Sequence, residues 1–531
     1  MGFSVGNIIK MRRNNSHRTG IPSPTGGLNA IDSLATMPPL DCVFMDNWWP
    51  QQDGVMVRKG WEVFGNVPED TVISPHNIRS IMSYMPPNSA NKKLFVGCES
   101  GIYDITGGGA IAAVSSAATN GEWQHANVST AGGNFLWCCN GVDKSRYYNG
   151  SAWTVLDTLS TPALTGIVST DITNVHSFQA RLYFTIKNSL DFYYLPVNSV
   201  AGAASTYPMG AVFKRGGSLI AIDSWTIDGG SGMGDYLVLI TSEGEVAIFN
   251  GYDPSNAATW ALVGVFNMGK PMSKRCTSKM GGDLAVFTAT GVWPLSKILG
   301  FADYKQNAAV SYKVQPIFQS YIDVSEGYFG WQLLLFPKAG MLIANVPFKV
   351  SDTLNYIYSY QIVMNTTTGA WTRFNNMASE VWGLHDNELY FAAHNVLYKA
   401  WTGSKDGTGN IIAKAKQAFN KLGTSQFNKH VKMVQPQIFG SDALDYSVGL
   451  DIDFKVDASL SNVPGSNISQ YLWDTAKWDQ ALWSGTAATG EWLTVDHYPG
   501  MYFSLNLKVE TQAQDITWLN TQYIFEPCGY L

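Results

Sequence analysis

The stretch YLVLITSEGEVAIFNG (residues 236–251) sets two runs of β-branched and aromatic residues on either side of a Ser-Glu-Gly turn, which is the pattern of an antiparallel hairpin. The same unit recurs along the chain: KLFVGCESGIYDI from Lys93, FLWCCNGVDKSRYYNG from Phe135, RLYFTIKNSLDFYYL from Arg181, DLAVFTATGVWPL from Asp283, NYIYSYQIVMNTTTG from Asn355 and ELYFAAHNVLYKAW from Glu388. The seven starts lie 33 to 72 residues apart, around the roughly 40 to 50 of propeller blades. Three units are followed by an Asn- and Gly-rich turn, a Trp and an alternating strand: NGSAWTVL (149–156), NGYDPSNAATWALVG (250–264) and NTTTGAWTRF (365–374). A Trp at an equivalent place in each blade suits radial sheet packing, because burying one removes about 150–250 Å² from water. The pattern predicts a mainly β protein built on a β-propeller of six or seven blades; its rival is a pair of stacked sandwiches.

The flanks read differently. Up to about residue 70 the chain is punctuated by Pro and Gly (IPSPTGG, MPPL, WWPQQDG), as expected of an extended N-terminal arm laid on a surface. The propeller is expected over 71–402, a connector over 403–429 and a C-terminal β-sandwich-like module over 430–531. In the connector, Ile411, Ile412, Ala415, Ala418, Phe419 and Leu422 fall at helical spacing and, taken alone, predict an amphipathic helix. Trp473, Trp478 and Trp483 stand five apart, fitting neither helix nor strand, and read as a loop pinned by rings.

Composition narrows the function. At 531 residues the chain is about three times the usual domain length. Charged residues are 14%, against roughly 25% in an average soluble domain, while Trp, Tyr and Phe number 18, 25 and 25. Disorder, collagen and coiled coil are excluded. A secretory signal and a membrane span are not expected, since no stretch approaches the roughly 18 apolar residues a spanning helix needs. The six cysteines (Cys42, Cys98, Cys138, Cys139, Cys276, Cys528) have no C-x-x-C spacing and read as reduced thiols. A net charge of −6 argues against a general nucleic-acid binder, whose affinity comes from neutralising phosphates.

The run from Gly26 to Gly65 resembles the opening of structural proteins from the tails of short-tailed (podovirus-type) bacteriophages. Its matching pieces are Gly26-Gly27-Leu28-Asn29, Met37-Pro38-Pro39, Asp46-Asn47-Trp48-Trp49-Pro50 and Val57-Arg58-Lys59-Gly60-Trp61. The W-D-x-x-x-W run near the C-terminus and the closing Glu526-Pro527-Cys528-Gly529 are similar to the same family, although Cys528 stands where it usually has Gly. The resemblance implies a tail hub or nozzle (tail tube) protein that assembles as a ring of six below the portal and adaptor, with tail fibres or a needle as further partners. Double-stranded DNA would pass through the channel without sequence-specific binding. It also implies a strand where Ile411 to Leu422 reads as a helix.

Searches for chemistry find little. The eight histidines never form H-x-H or H-E-x-x-H, so neither a metal nor another cofactor is expected. His385 and His394, with Asp386 and Glu388 near them, could converge across a hairpin, but an ordinary polar turn is the stronger expectation. Gly229-Gly230-Ser231-Gly232-Met233-Gly234 is followed by a strand, not by the helix a phosphate loop requires. Ser404-Lys405-Asp406-Gly407 is only a fragment of a sialidase-type turn. Adjacent Cys138 and Cys139 on a strand should face opposite ways. Lys10, Arg12, Arg13 and Arg18, with His17, form the one basic cluster of note, read as a solvated tail, as a docking arm for an acidic face of a neighbouring tail subunit or, third, as a DNA contact. The expected function is therefore non-enzymatic: a virion structural protein, assembled in the host cytoplasm, that retains and releases the genome. The alternative is a stand-alone receptor- or glycan-binding propeller.

Overall fold

The computed structural model describes residues 16–68, 77–110, 113–116, 118–228, 233–299, 308–350, 357–423, 427–440, 444–455, 460–463, 487–489, 491–495, 498–511 and 513–528. The chain divides into two compact units, one made of residues 58–411 and the other of 1–57 together with 412–531.

The 58–411 unit is a seven-bladed β-propeller, counted over the described residues. Blades 1 to 4 are four-stranded antiparallel sheets, beginning with Ser80–Tyr84, Gln124–Thr130, Ile172–Phe178 and Leu219–Asp228. Blade 5 has three strands, Thr277–Met280, Asp283–Thr288 and Gly291–Pro294. After it the chain turns into helices, and the helix Gln315–Ser325 sets Phe318 edge-on to Phe287 at 5.2 Å. Blade 6 runs from Gln332–Phe336 to Trp371–Phe374. Blade 7 joins two distant parts of the unit: Val381–His385, Glu388–Ala393 and Val396–Thr402 are completed by Gly60–Asn66 from near its start. The first strand of each blade neighbours the first strand of the next, and that of blade 7 neighbours that of blade 1, so the ring is closed.

Apolar side chains fill the wedges between blades. Leu136 and Cys138 pack with Met82 and Phe95 between blades 1 and 2, while Trp137 and Cys139 face Ile172 and Phe184 between blades 2 and 3. Alternation along one strand thus feeds two wedges, as strand geometry requires, and the two thiols point apart, as expected. The hairpin starting at Tyr236 decides the next wedge, where Leu237, Leu239, Ala247 and Phe249 meet Tyr183 and Phe192 of blade 3. Trp153, Trp260 and Trp371, marked in the sequence, each open the outermost strand of a blade (2, 4 and 6). Six of the seven hairpins form as read; the run from Asn355 instead supplies one strand, Ile357–Asn365, and the turn after it.

The other unit holds two antiparallel-rich sheets. In one, Asp41–Asp46, Ile412–Gln417, Phe503–Glu510 and Tyr446–Ile452 lie side by side. In the other, Thr517–Pro527 is flanked by Lys429–Gly440, by Val55–Val57 and by His17–Pro22. Two expectations need correction. The N-terminal segment and the C-terminal module are one unit, so the boundaries fall at 57/58 and 411/412 in place of 70, 402 and 429. Ile411 to Leu422 is not a helix: Ile412–Gln417 is a strand bonded on both sides, with Ala413 and Ala415 buried and Ile412 and Lys414 exposed. The alternation of two won because each edge of the segment found a partner strand, which the local helical spacing could not report. Trp473, Trp478 and Trp483 lie outside the described residues.

Candidate functional site

The residues behind the family-like pattern are fastenings. Asn29, 2% exposed, donates from Nδ2 to Asp41 Oδ2 at 2.7 Å and to Asp32 Oδ2 at 2.8 Å, while its Oδ1 accepts the backbone N–H of Ile31 and Asp32. A side chain at Gly26 would overlap the Asp41 carboxylate and the Leu40 carbonyl, and Gly27 sits at φ +75°. Pro38 and Pro39 are exposed and lead the chain into this knot, the Pro38 carbonyl accepting the Asp41 N–H. Asn47, at φ +60°, donates to the Ile412 carbonyl at 2.9 Å. Next to it Trp48 is fully buried, 5.9 Å from Trp518.

In the propeller unit, Arg58 and Asp406 form a two-bonded ion pair at 2.8 and 2.7 Å with side chains 0% and 1% exposed. Arg58 also donates to the carbonyls of Lys59 and Asn375, and Asn376 Nδ2 donates to Asp406. Gly60 lies against the Lys405 backbone, where a Cβ has no room. Asp406, read in the sequence as part of a sialidase-like fragment, is thus the partner that sequence reasoning missed; its spacing of 348 residues from Arg58 carries no local signal. Of the basic cluster, Lys10, Arg12 and Arg13 lie outside the described residues. Arg18 is exposed but engaged, its Nε donating to Gln522 and its guanidinium standing over Trp492.

The histidine pair does not converge. His385 Nδ1 meets Ser83 Oγ at 2.8 Å, and His394 Nδ1 meets Asn77 Oδ1 at 2.8 Å, at opposite ends of the strand Glu388–Ala393. Residues 229–232 of the glycine-rich segment lie outside the described residues; Asp228 and Met233, on either side of them, pair as two strands of blade 4.

The centre of the ring holds a cavity of about 340 Å³, lined from the first strand of every blade or the residues just before it. Lys274 and Arg275, before the first strand of blade 5, face it together with Gln124, His125 and His176. An adjoining hollow of about 260 Å³ shares Gln124, Lys274 and Arg275 and adds Glu122, Tyr328 and Phe329. One nitrogen of Arg275, Nη2, donates to the carbonyls of Arg79 (3.0 Å) and Trp123 (3.2 Å), and the guanidiniums of Arg275 and Arg79 both lie over the Phe329 ring. Desolvation lowers the Arg275 pKa to about 10, against the pull of Glu122, so it stays charged at neutral pH. His125 is open to the cavity yet ringed by protein; that enclosure, and then the Arg275 charge, push its pKa down to about 4. It is therefore a neutral donor and acceptor at pH 7. Arg79 reaches Glu380 at 2.6 Å, but burial dominates and raises the Glu380 pKa to about 7. Among the described residues no three His, Cys, Asp or Glu side chains gather as a metal site, and no helix is long and apolar enough to cross a membrane.

Fold and site define a closed seven-bladed β-propeller with a polar central cavity, carried on one chain with a two-sheet β unit. No protein-family model and no curated protein matches this chain. Among solved structures it is similar to Sqt1 of Saccharomyces cerevisiae, with 9% identity over 65% of this chain and 98% of that one and a TM-score of 0.31. It is also similar to a 6-phosphogluconolactonase candidate from Bacteroides fragilis NCTC 9343, with 11% identity over 66% and 92% and a TM-score of 0.32. A third is BBS1N in complex with ARL6DN, with 15% identity over 40% of this chain and 63% of that chain and a TM-score of 0.27. At such scores the propeller assignment rests on the strand order and the closed ring of first strands.

Proposed function

We propose that the chain is a non-enzymatic virion structural protein, a ring-forming subunit of the distal tail nozzle of a short-tailed phage that lines the DNA exit channel and helps retain and release the genome. One observation carries the reading: the residues behind the resemblance are spent on architecture. Asn29, Asn47, Trp48, Arg58 and Gly60 are buried and tied to the chain's own framework, so the pattern is one of build and not of reactive chemistry. A charge-poor, aromatic-rich chain suits large subunit interfaces. A net charge of −6 offers duplex DNA little counter-ion release, which favours passage over retention on the wall. The basic residues Lys10, Arg12 and Arg13 then serve as a docking arm toward an acidic face of an adaptor or neighbouring tail protein.

Electron microscopy of the purified full chain tests the reading, with rings of about six subunits as the expected image. A monomer that binds receptor glycans on an array would overturn it in favour of a stand-alone binding propeller. For the arm, removing residues 1–16 spares the strand His17–Pro22 and should abolish tail assembly; unchanged particle yield would refute docking.

A further inference from the structure

We propose that the central cavity of the propeller is a binding site for a small oxyanion, a phosphate or a carboxylate, held by Lys274 and Arg275 with Gln124 and His125 adding neutral hydrogen bonds. The first support is the state of these groups. Lys274 is half-buried in the wall of both hollows and has no hydrogen-bond or ion-pair partner among the described residues. Half-burying an ammonium without a counter-charge strips part of its hydration at some cost. An anion in the cavity would offset that cost.

Arg275 supplies the geometry. Its Nη2 is committed to two backbone carbonyls and its plane is steadied by Phe329, so the side chain is fixed before any ligand arrives. The Nε and Nη1 groups make no bond to described residues, and each, on its own side of the guanidinium, can give a charged hydrogen bond to an oxyanion. Gln124 likewise spends no side-chain hydrogen bond among the described residues. His176 Nε2 is buried without a hydrogen-bond partner, 3.9 Å from Asp223 Oδ1.

The remaining charges decide the sign. Glu122 faces Arg275 and offsets one positive charge, Glu380 is answered by Arg79, and Asp223 lies behind His176 with Lys279 near it, which leaves Lys274 without an ion-pair partner among the described residues. A cationic ligand would confront Lys274 and Arg275 at close range. An apolar one would strand several polar groups without water or partner. The two hollows, about 340 and 260 Å³, lie at and just below the lower end of small-molecule sites, which suits a small oxyanion, and are far too small for duplex DNA. The inference is independent of the tail reading, since a ring-forming subunit and a solitary propeller could each carry this cavity.

Isothermal titration of the full chain at low ionic strength tests the site with two probes, inorganic phosphate and citrate. Saturable one-to-one binding of either is expected, and the preferred probe tells phosphate from carboxylate. Lys274→Gln removes the charge while keeping a polar side chain one atom shorter, and should weaken binding about tenfold or more, the scale of a charged hydrogen bond. Gln124→Leu, which touches no charge, should weaken it less, and neither unliganded variant should melt below the parent. No saturation by either probe up to about 10 mM would overturn the proposal. So would binding that neither substitution alters.

Discussion

Arg58 and Asp406 stand 348 residues apart in the chain and meet through two parallel bonds of 2.8 and 2.7 Å, both side chains sealed from solvent. The pair lies where the strand Gly60–Asn66 joins blade 7, and Gly60 N–H also bonds the Gly403 carbonyl while Gly407 N–H bonds that of Trp61. Removing one partner leaves the other charge buried and unanswered, at a cost of about 3–5 kcal/mol. Asp406→Ala should therefore lower the urea midpoint sharply. The double variant Arg58→Met/Asp406→Leu should recover most of the loss, because two apolar side chains leave no stranded charge. A double variant as unstable as the single one would show that the pair is needed for more than charge balance.

This joint also marks the limit of what the chain reveals before it is folded. Hairpins such as the one starting at Tyr236 were legible because their turn chemistry and alternation are local, and Trp153, Trp260 and Trp371 were legible because each follows its own Asn-rich turn. In the first and third of these turns Asn149 and Asn365 bond the backbone N–H two residues on. That the strand at Gly60 belongs to the last blade was not legible, nor was the part Asp406 plays, because long-range pairing leaves no periodic trace. Ile412–Gln417 misled for a related reason: the apolar residues from Ile411 to Leu422 keep helical spacing while Ala413 and Ala415 keep the alternation of a strand, and partners far along the chain chose between them. The cavity was hidden altogether, since Gln124, His125 and Lys274 converge only once the ring closes.

Gly60→Ala tests the joint from the backbone side. An added methyl would collide with the Lys405 carbonyl, a rigid neighbour that cannot swing away as a side-chain tip can. The expected loss is about 1–3 kcal/mol, the usual cost of overpacking, read as a lower thermal midpoint. Gly282→Ala, where nothing stands within 4 Å of the new methyl, is the matched control and should lose much less.

Two of the three marked tryptophans, Trp371 and Trp153, should not be equal. Trp371 is 1% exposed, donates from Nε1 to the Val310 carbonyl at 2.9 Å and meets Phe318 edge-on at 5.9 Å. Trp153 is half-buried and rests on Phe95 and Tyr148 at 5.1 and 5.5 Å. Truncation of a buried Trp costs about 3–5 kcal/mol, so Trp371→Ala should fall in that range and Trp153→Ala clearly below it. Equal losses in chemical denaturation would contradict the burial argument.

Glu380 should give stability an unusual pH slope. Burial raises its pKa from 4.5 to about 7 despite Arg79 beside it, so the folded chain holds a proton at this position that the unfolded chain has released. Between pH 4.5 and 7 the native state binds more protons here, and the contribution of Glu380 to stability must fall as pH rises, by no more than about 3 kcal/mol. His125, His176 and His385 are shifted down by burial and act the other way, losing stability as pH drops below 6.5. The raw profile therefore mixes opposing slopes. Subtracting the profile of Glu380→Gln, which keeps the shape and cannot ionise, isolates the carboxyl. The difference between parent and variant in urea denaturation should decline from pH 4.5 to 7 and level off above it. A difference that stayed flat over this window would mean that the Arg79 charge outweighs burial and that Glu380 is ionised throughout.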